Sequence, residues 1–455
     1  MDTNDILLKR IPRKYHAYLV MLGSVIIQLS TGIVYTLGNL LPYILSYLRW
    51  RVDPGQSESS MIWLQMFLGA IPFAMLAGGF LQRKLPIRVV VFLGVFLYTF
   101  SIAISYLTIQ YSFGLLLITF GLCTGFAQGF TYNCILTNIQ EWFPNRIGFA
   151  TGMVVGGFGL SAFIFTPIQT KFINPNNYSV NEDGIFTQED LLRRVPQVFL
   201  VMAIIFAVFQ SIGLILLAKP VQEYELIGGS FSVQSEFSHH SQQEGEDLLV
   251  KNHGDTSGGN GNDSGNHQWR DIFKSSTFII LFVTLFLNNT WAQIVSGLYK
   301  AYGQTFIKDD FYLAMIGSIA SIFNCGSRVL AGQASYQTSM IIVCGIGSAL
   351  MSSLCLVRYI GIWWVFTYWV CFMFSCIGAT YTLLPYATNK YFRSEQFGVV
   401  YGCLQLALPL GGIFAAILTE LILPYLGYNI LLLFVSSLMF VSLILTANIH
   451  RTRHA

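Results

Sequence analysis

Residues 254–268 read GDTSGGNGNDSGNHQ, inside a longer polar stretch from Lys219 to Lys274 that has almost no aromatic residues. Gly, Asn, Ser, Gln and His at that density cannot bury enough apolar surface to offset chain entropy, so a disordered linker is expected. What the stretch interrupts decides the fold. Of the 455 residues, 54% are hydrophobic and only 10% charged, where a soluble domain carries about 25% charged residues. A helix needs about 20 consecutive apolar residues to cross a bilayer. Twelve segments approach that length, roughly 16 to 48, 60 to 82, 88 to 109, 112 to 137, 147 to 172 and 195 to 218 before the linker, and 275 to 299, 311 to 335, 339 to 358, 361 to 387, 396 to 423 and 426 to 449 after it. The third and fourth are parted only by a short turn around Gln110. The expectation is an all-α membrane protein of twelve transmembrane helices, in two six-helix half-domains at 1–218 and 275–455, joined by the linker 219–274.

Charge orients the bundle. Residues 1–15 carry charge and no cleavable signal pattern, so the first apolar segment is expected to be an uncleaved anchor. Twelve crossings leave both termini on one side. Lys9, Arg10, Arg13 and Lys14 fall there, with Arg83, Lys84, Arg88, Lys390 and Arg393, and the positive-inside bias makes that side cytoplasmic. The sequon Asn177-Tyr178-Ser179 then lies in an external loop, where a glycan would test the topology. A plasma-membrane location is expected. Tyr224-Glu225-Leu226-Ile227 and the acidic dileucine pattern at 244–249 leave an endosomal or lysosomal membrane open. The eight cysteines all fall in or beside apolar helices, a pattern that frames neither disulfides nor a metal site. No cofactor is implied, and nucleic-acid binding has no support.

Within the apolar segments charge is scarce, and Arg328, in FYLAMIGSIASIFNCGSRVLAGQAS (311–335), reads as the one intramembrane cation. Such a charge is costly and usually functional. A guanidinium facing a water-filled cavity presents a planar fork suited to a carboxylate in two-point contact. A second reading makes Arg328 a gate near the cytoplasmic end of its helix. Glu420 is read as the one carboxylate inside an apolar segment, near the external end, as an external gate or a coupling group. Asn289 and Gln293 share a helix face at spacing i, i+4 and form a candidate cavity pair.

The stretch Tyr132 to Pro167, YNCILTNIQEWFPNRIGFATGMVVGGFGLSAFIFTP, carries Trp142, Phe143, Pro144, Arg146 and the glycines Gly148, Gly152, Gly156, Gly157 and Gly159. Glycines four apart clear a helix face for close approach by a neighbour. The stretch resembles the loop and fifth helix of major facilitator transporters, and more narrowly the oxalate/formate antiporters and the related monocarboxylate transporters. That resemblance implies the major facilitator fold, Arg328 as a substrate-carboxylate ligand, and a tyrosine set of Tyr35, Tyr132 and Tyr381 around it. It also places Arg146 among the gating residues.

Departures narrow the substrate. The oxalate carriers pair their arginine with a lysine in the eleventh helix, and 396–423 holds no Lys or Arg. Ile377 stands where those carriers have a tryptophan. One cation for one carboxylate favours a monocarboxylate of the lactate, pyruvate or formate kind, moved by alternating access, either facilitatively or coupled to a proton or counter-anion. Two alternatives stay open: a carrier of neutral solutes such as amino acids or sugars on the same fold, and a non-transporting sensor or scaffold. No HExxH, P-loop or Ser/His/Asp arrangement supports an enzyme.

Overall fold

The computed structural model describes residues 11–69, 72, 74, 75, 78, 81, 84–220, 272–331, 336–392 and 397–449. The polar stretch 221–271 lies outside them. All regular structure among the described residues is helical. The long helices are α1 (His16–Arg51), α2 (from Met61), α3 (Ile87–Thr108), α4 (Phe113–Trp142), α5 (Ile147–Ile173), α6 (Arg194–Leu216), α7 (Ser276–Gln304), α8 (Asp310–Ala331), α9 (Tyr336–Ile360), α10 (Trp363–Tyr391), α11 (397–426) and α12 (428–447). Among the described residues nine stretches are long and apolar enough to cross a membrane, and one of them, Val400–Ala447, carries both α11 and α12. Among the described residues, helices therefore stand in all twelve expected segments.

The boundaries have local causes. Ser112 starts α4 from an extended conformation (φ −162°) and its hydroxyl accepts from the Gly114 N–H at 3.1 Å, an N-cap that separates α3 from α4. Only Gly427 parts α11 from α12; its φ of 72° is a conformation that glycine adopts without a Cβ penalty. Inside α1 the α-helical path gives way to 3-10 geometry at Gly32–Thr36. Gly32 causes the close packing there, since a Cβ on it would collide with the Phe158 carbonyl of α5. The seventh helix runs past the expected 299 to Gln304, which draws Lys300 into the bundle.

Each half has its own core, around Tyr43, Tyr98, Phe120, Phe165 and Phe199 in the first and around Trp291, Tyr302, Phe366 and Phe374 in the second. Tyr35, Phe158 and Ala162 of the first half are packed into the second core. In lipid, helices meet through small residues and interhelical hydrogen bonds rather than through apolar burial, and the seam between the halves shows both. A Cβ on Gly156 would stand 3.2 Å from Cys325 Sγ of α8, and one on Gly159 would stand 3.0 Å from Asn324 Oδ1. Gly38 of α1 lies against the Ser296 carbonyl and Tyr299 of α7. The expected glycine face of α5 is thus divided: Gly157 packs on Val25 of α1 at 3.0 Å, Gly156 and Gly159 face α8, and Gly152 has nothing within 4 Å.

Candidate functional site

Arg328 lies three residues before the end of α8, yet its side chain reaches the middle of the bundle. Its Nη2 donates to the Tyr35 hydroxyl, and Tyr35 is 19 residues from the start of α1 and 16 from its end. The guanidinium is 6% exposed, its Nε donates to Asn324 Oδ1 at 3.0 Å, and its carbon stands 5.8 Å from the Tyr35 ring centroid. Asn324 is fixed in turn, because its Nδ2 donates to the Phe374 carbonyl of α10 at 3.1 Å.

The tyrosines converge. Tyr35 and Tyr132 both meet Phe158 edge-on, at 5.3 and 6.0 Å between centroids. Both Tyr132 and Tyr381 lie within electrostatic reach of Arg328. The Tyr381 hydroxyl donates to Asn289 Oδ1 at 2.6 Å, while Asn289 Nδ2 donates to the Leu408 carbonyl at 2.7 Å. Tyr401 of α11, which sequence reading passed over, interacts with Tyr132 and is bonded by Gln405. The result is one guanidinium among four phenol groups where α1, α4, α8, α10 and α11 meet. Among the described residues Arg328 has no carboxylate partner. A buried charge of that kind is expensive unless something pairs with it.

Three expected site residues lie elsewhere. Gln293 looks toward α2, its Nε2 3.8 Å from where a Cβ on Gly69 would be, and its Oε1 is buried without a partner. Glu420 is exposed and accepts from Trp63 Nε1 at 2.6 Å, on the seam between α11 and α2. Arg146 is exposed, in the turn between α4 and α5 at the end of the bundle where the linker leaves.

One reading needs correcting: Arg328 is not the only cation inside the bundle, and Glu420 is not the only carboxylate. Lys300, 0% exposed, forms an ion pair with Asp310 at 2.8 Å, at the end of the bundle opposite the linker. Both residues belong to the second half, and the first half surrounds them. Asn39 Oδ1 accepts from Lys300 Nζ at 2.8 Å, the Tyr43 ring lies 4.1 Å beneath that ammonium, and Asp310 accepts from the Tyr43 hydroxyl and from Asn174 Nδ2 at 2.9 Å. Alongside, Asn177 Nδ2 donates to Asp309 at 3.0 Å, so the atom that a glycan would occupy joins the halves. Glu58, in the turn between α1 and α2, accepts from Tyr428; burial pushes its carboxyl above the ordinary range, against the opposing effects of Tyr428 and Arg49. Glu58 and Tyr428 also line a cavity of 680 Å³ with Leu41, Met61, Gln304 and Lys308.

Fold and site together define a polytopic membrane transporter with two halves around a central polar site. The chain matches the Major Facilitator Superfamily over residues 20–387, and it belongs to that family. Among its relatives, it is 24% identical to Apicoplast pyruvate carrier 1 of Toxoplasma gondii, over 88% of this chain and 83% of that one. It is 27% identical to the MFS-type transporter YhjX of Escherichia coli over 34% of this chain and 37% of that one. Two solved structures share the fold: a POT family transporter in complex with 5-aminolevulinic acid (TM-score 0.65, 14% identity, 94% of this chain and 96% of that one), and a variant of the nucleoside transporter NupG (TM-score 0.63, 13% identity, 94% and 99%).

Proposed function

We propose that this protein carries small monocarboxylate anions across its membrane by alternating access, with Arg328 as the ligand of the substrate carboxylate. The observation that carries the reading is the buried guanidinium of Arg328, which lacks a carboxylate partner among the described residues and is held at Nε by Asn324 and at Nη2 by Tyr35. Its remaining N–H groups are the donors for a carboxylate, and Tyr132, Tyr381 and Tyr401 add hydroxyl donors and ring edges around an anion. Lys300 does not change the balance, because Asp310 neutralises it. A single unmatched charge favours a monoanion over a dicarboxylate. The name of the Toxoplasma relative, a pyruvate carrier, and the resemblance to oxalate/formate and monocarboxylate carriers support the same class.

The bonds between Asn39, Tyr43 and Asn174 and the Lys300–Asp310 pair close the bundle at the end opposite the linker. We assign that end to the outside, from the bias of Lys and Arg toward the linker end, and Glu58–Tyr428 and Trp63–Glu420 to the same external seal.

The test is a thermal-shift screen of wild type and Arg328→Ala against monocarboxylates, dicarboxylates, amino acids and sugars, followed by uptake into proteoliposomes. A ligand at a hundredfold excess over Kd stabilises the folded state by about 2.7 kcal/mol. Stabilisation by a monocarboxylate that disappears in Arg328→Ala, together with loss of uptake, is expected. A neutral solute that stabilises both proteins, or anion uptake unchanged by the substitution, overturns the assignment.

A further inference from the structure

We propose that Asn324 is the positioning residue that aims Arg328, and that its neutrality keeps the arginine's charge available for the incoming anion. This rests on the reading of Arg328 as the carboxylate site. Three observations fix Asn324. Its side chain is 0% exposed and spans two helices, Oδ1 accepting from Arg328 Nε at 3.0 Å and Nδ2 donating to the Phe374 carbonyl at 3.1 Å. On one side Gly378 of α10 packs directly on the Asn324 backbone, so that a Cβ there would collide with the Asn324 carbonyl. On the other side Gly159, from the opposite half, covers the amide, a Cβ there standing 3.0 Å from Asn324 Oδ1 and 3.4 Å from Arg328 Nε. The amide is hydrogen-bonded at both ends, and the guanidinium it holds is turned toward Tyr35 and the tyrosine cluster.

The charge of this position decides what the site accepts. An amide oxygen orients a guanidinium without neutralising it. A carboxylate in the same place would form an internal ion pair and compete with any substrate anion for the same charge. A carrier built with a carboxylate there would rest neutral; with Asn324 it rests one positive charge in excess, and a monoanion completes it. The titratable groups facing this position among the described residues are Arg328, Cys325 beside it, and the phenols of Tyr35, Tyr132 and Tyr381.

Asn324→Asp tests the idea because it changes charge at constant shape. When ionised, the introduced carboxylate pairs with Arg328 and sets a bare oxygen against the Phe374 carbonyl. When protonated, its O–H takes over the bond to that carbonyl and restores a neutral acceptor for Arg328. The measurement is uptake of radiolabelled pyruvate into proteoliposomes, as KM and kcat from pH 5 to 8, for wild type, Asn324→Asp, Asn324→Leu and Arg328→Ala, each scaled to wild type at the same pH. The expected result for Asn324→Asp is a KM raised about tenfold or more at pH 8, equivalent to about 1.4 kcal/mol or more, and returning toward wild type in acid. Asn324→Leu is expected to lose affinity at every pH with no acid recovery. Should Asn324→Asp fail to insert, Asn324→Ser, which keeps an acceptor but cannot span to Phe374, is expected to raise KM more than it lowers kcat. A wild-type KM for Asn324→Asp at pH 8, or a defect that acid leaves unchanged, overturns the proposal. If Arg328→Ala abolishes uptake while Asn324→Asp behaves as wild type, only the role of Asn324 falls. If Arg328→Ala transports normally, the substrate reading falls with it.

Discussion

Removing the ammonium of Lys300 tests how the two halves are held at the end opposite the linker. In Lys300→Met the side chain keeps its approximate length, but Asp310 is left buried, at 2% exposure, with only neutral donors: the Tyr43 hydroxyl, Asn174 Nδ2 at 2.9 Å and Gln304 Nε2 at 3.5 Å. Breaking one partner of a buried ion pair costs about 3–5 kcal/mol, because the other charge stays behind uncompensated. Replacing both charges behaves differently. In Lys300→Met with Asp310→Asn, the amide oxygen still accepts from Tyr43 and Asn174, and no charge remains to be solvated. Exchanging a buried pair for neutral groups is often close to neutral in stability, so the double variant is expected within about 1 kcal/mol of wild type and about 2–4 kcal/mol more stable than Lys300→Met alone. Unfolding in mixed micelles at rising SDS fraction, followed by fluorescence of the eight tryptophans, gives these free energies directly. A double variant as unstable as Lys300→Met alone would refute the reasoning, since it would show that Lys300 contributes through packing and not through Asp310.

Three further outcomes follow from other contacts in the bundle. Because burial raises the Glu58 carboxyl above the ordinary range, the sealed state binds a proton there more readily than an open state in which Glu58 is solvated. The seal is therefore favoured in acid and weakens as pH rises from the ordinary carboxylate range through the raised value; melting curves from pH 4 to 8 are expected to fall off more steeply for wild type than for Glu58→Gln, and parallel curves count against it. Gly38→Ala drives a methyl into the Ser296 carbonyl of the opposite half, at an expected cost of about 1–3 kcal/mol. It should also hold the far end open, read as faster maleimide labelling of Leu41→Cys in the adjoining cavity. Gly152→Ala, with nothing within 4 Å of its added carbon, is expected within about 0.5 kcal/mol of wild type, and an equal loss in both would refute the packing argument.

The fold was legible because membrane helices announce themselves by apolar length. The break at Gln110 and the position of Tyr35 and Arg328 on separate helices followed from spacing and turn chemistry alone. Legibility ended where a residue's role depends on a partner far along the chain. Lys300 sits at the edge of an apolar run, and hydropathy places such a residue in a loop; only the 29-residue length of α7 shows it to be inside. Asp310 is similarly hidden next to Asp309, yet one is buried and the other faces the 174–178 turn. Asn324 did leave a signal, since it precedes Arg328 by four residues on one helix face, the spacing at which side chains touch. Gln293 parts from Asn289 for the opposite reason: sharing a face does not fix which neighbour that face meets one turn along a helix that passes two different partners, Tyr381 for one and Gly69 for the other.

The same long-range pairing governs how substrate charge and motion are linked. A bundle that must rock cannot leave a charge bare against lipid or apolar protein in either state without large cost. At the sealed end this is met internally, because Lys300 and Asp310 both belong to the second half and stay together when Asn39, Tyr43 and Asn174 withdraw; what is lost on opening is hydrogen bonding between neutral groups and this charged pair, worth about 1.5–3 kcal/mol per bond. At the centre no such internal partner exists. Arg328 crosses the seam to Tyr35, and a phenol oriented by a cation cannot cancel its charge. If the site is empty, rocking carries an uncompensated guanidinium through the apolar midplane; if a monoanion is bound, the moving unit is neutral. On the proposed reading of Arg328 as the carboxylate ligand, the barrier to reorientation falls when substrate binds, and it falls most for a ligand of charge −1, which ties the selectivity of the site to the motion that the seam permits.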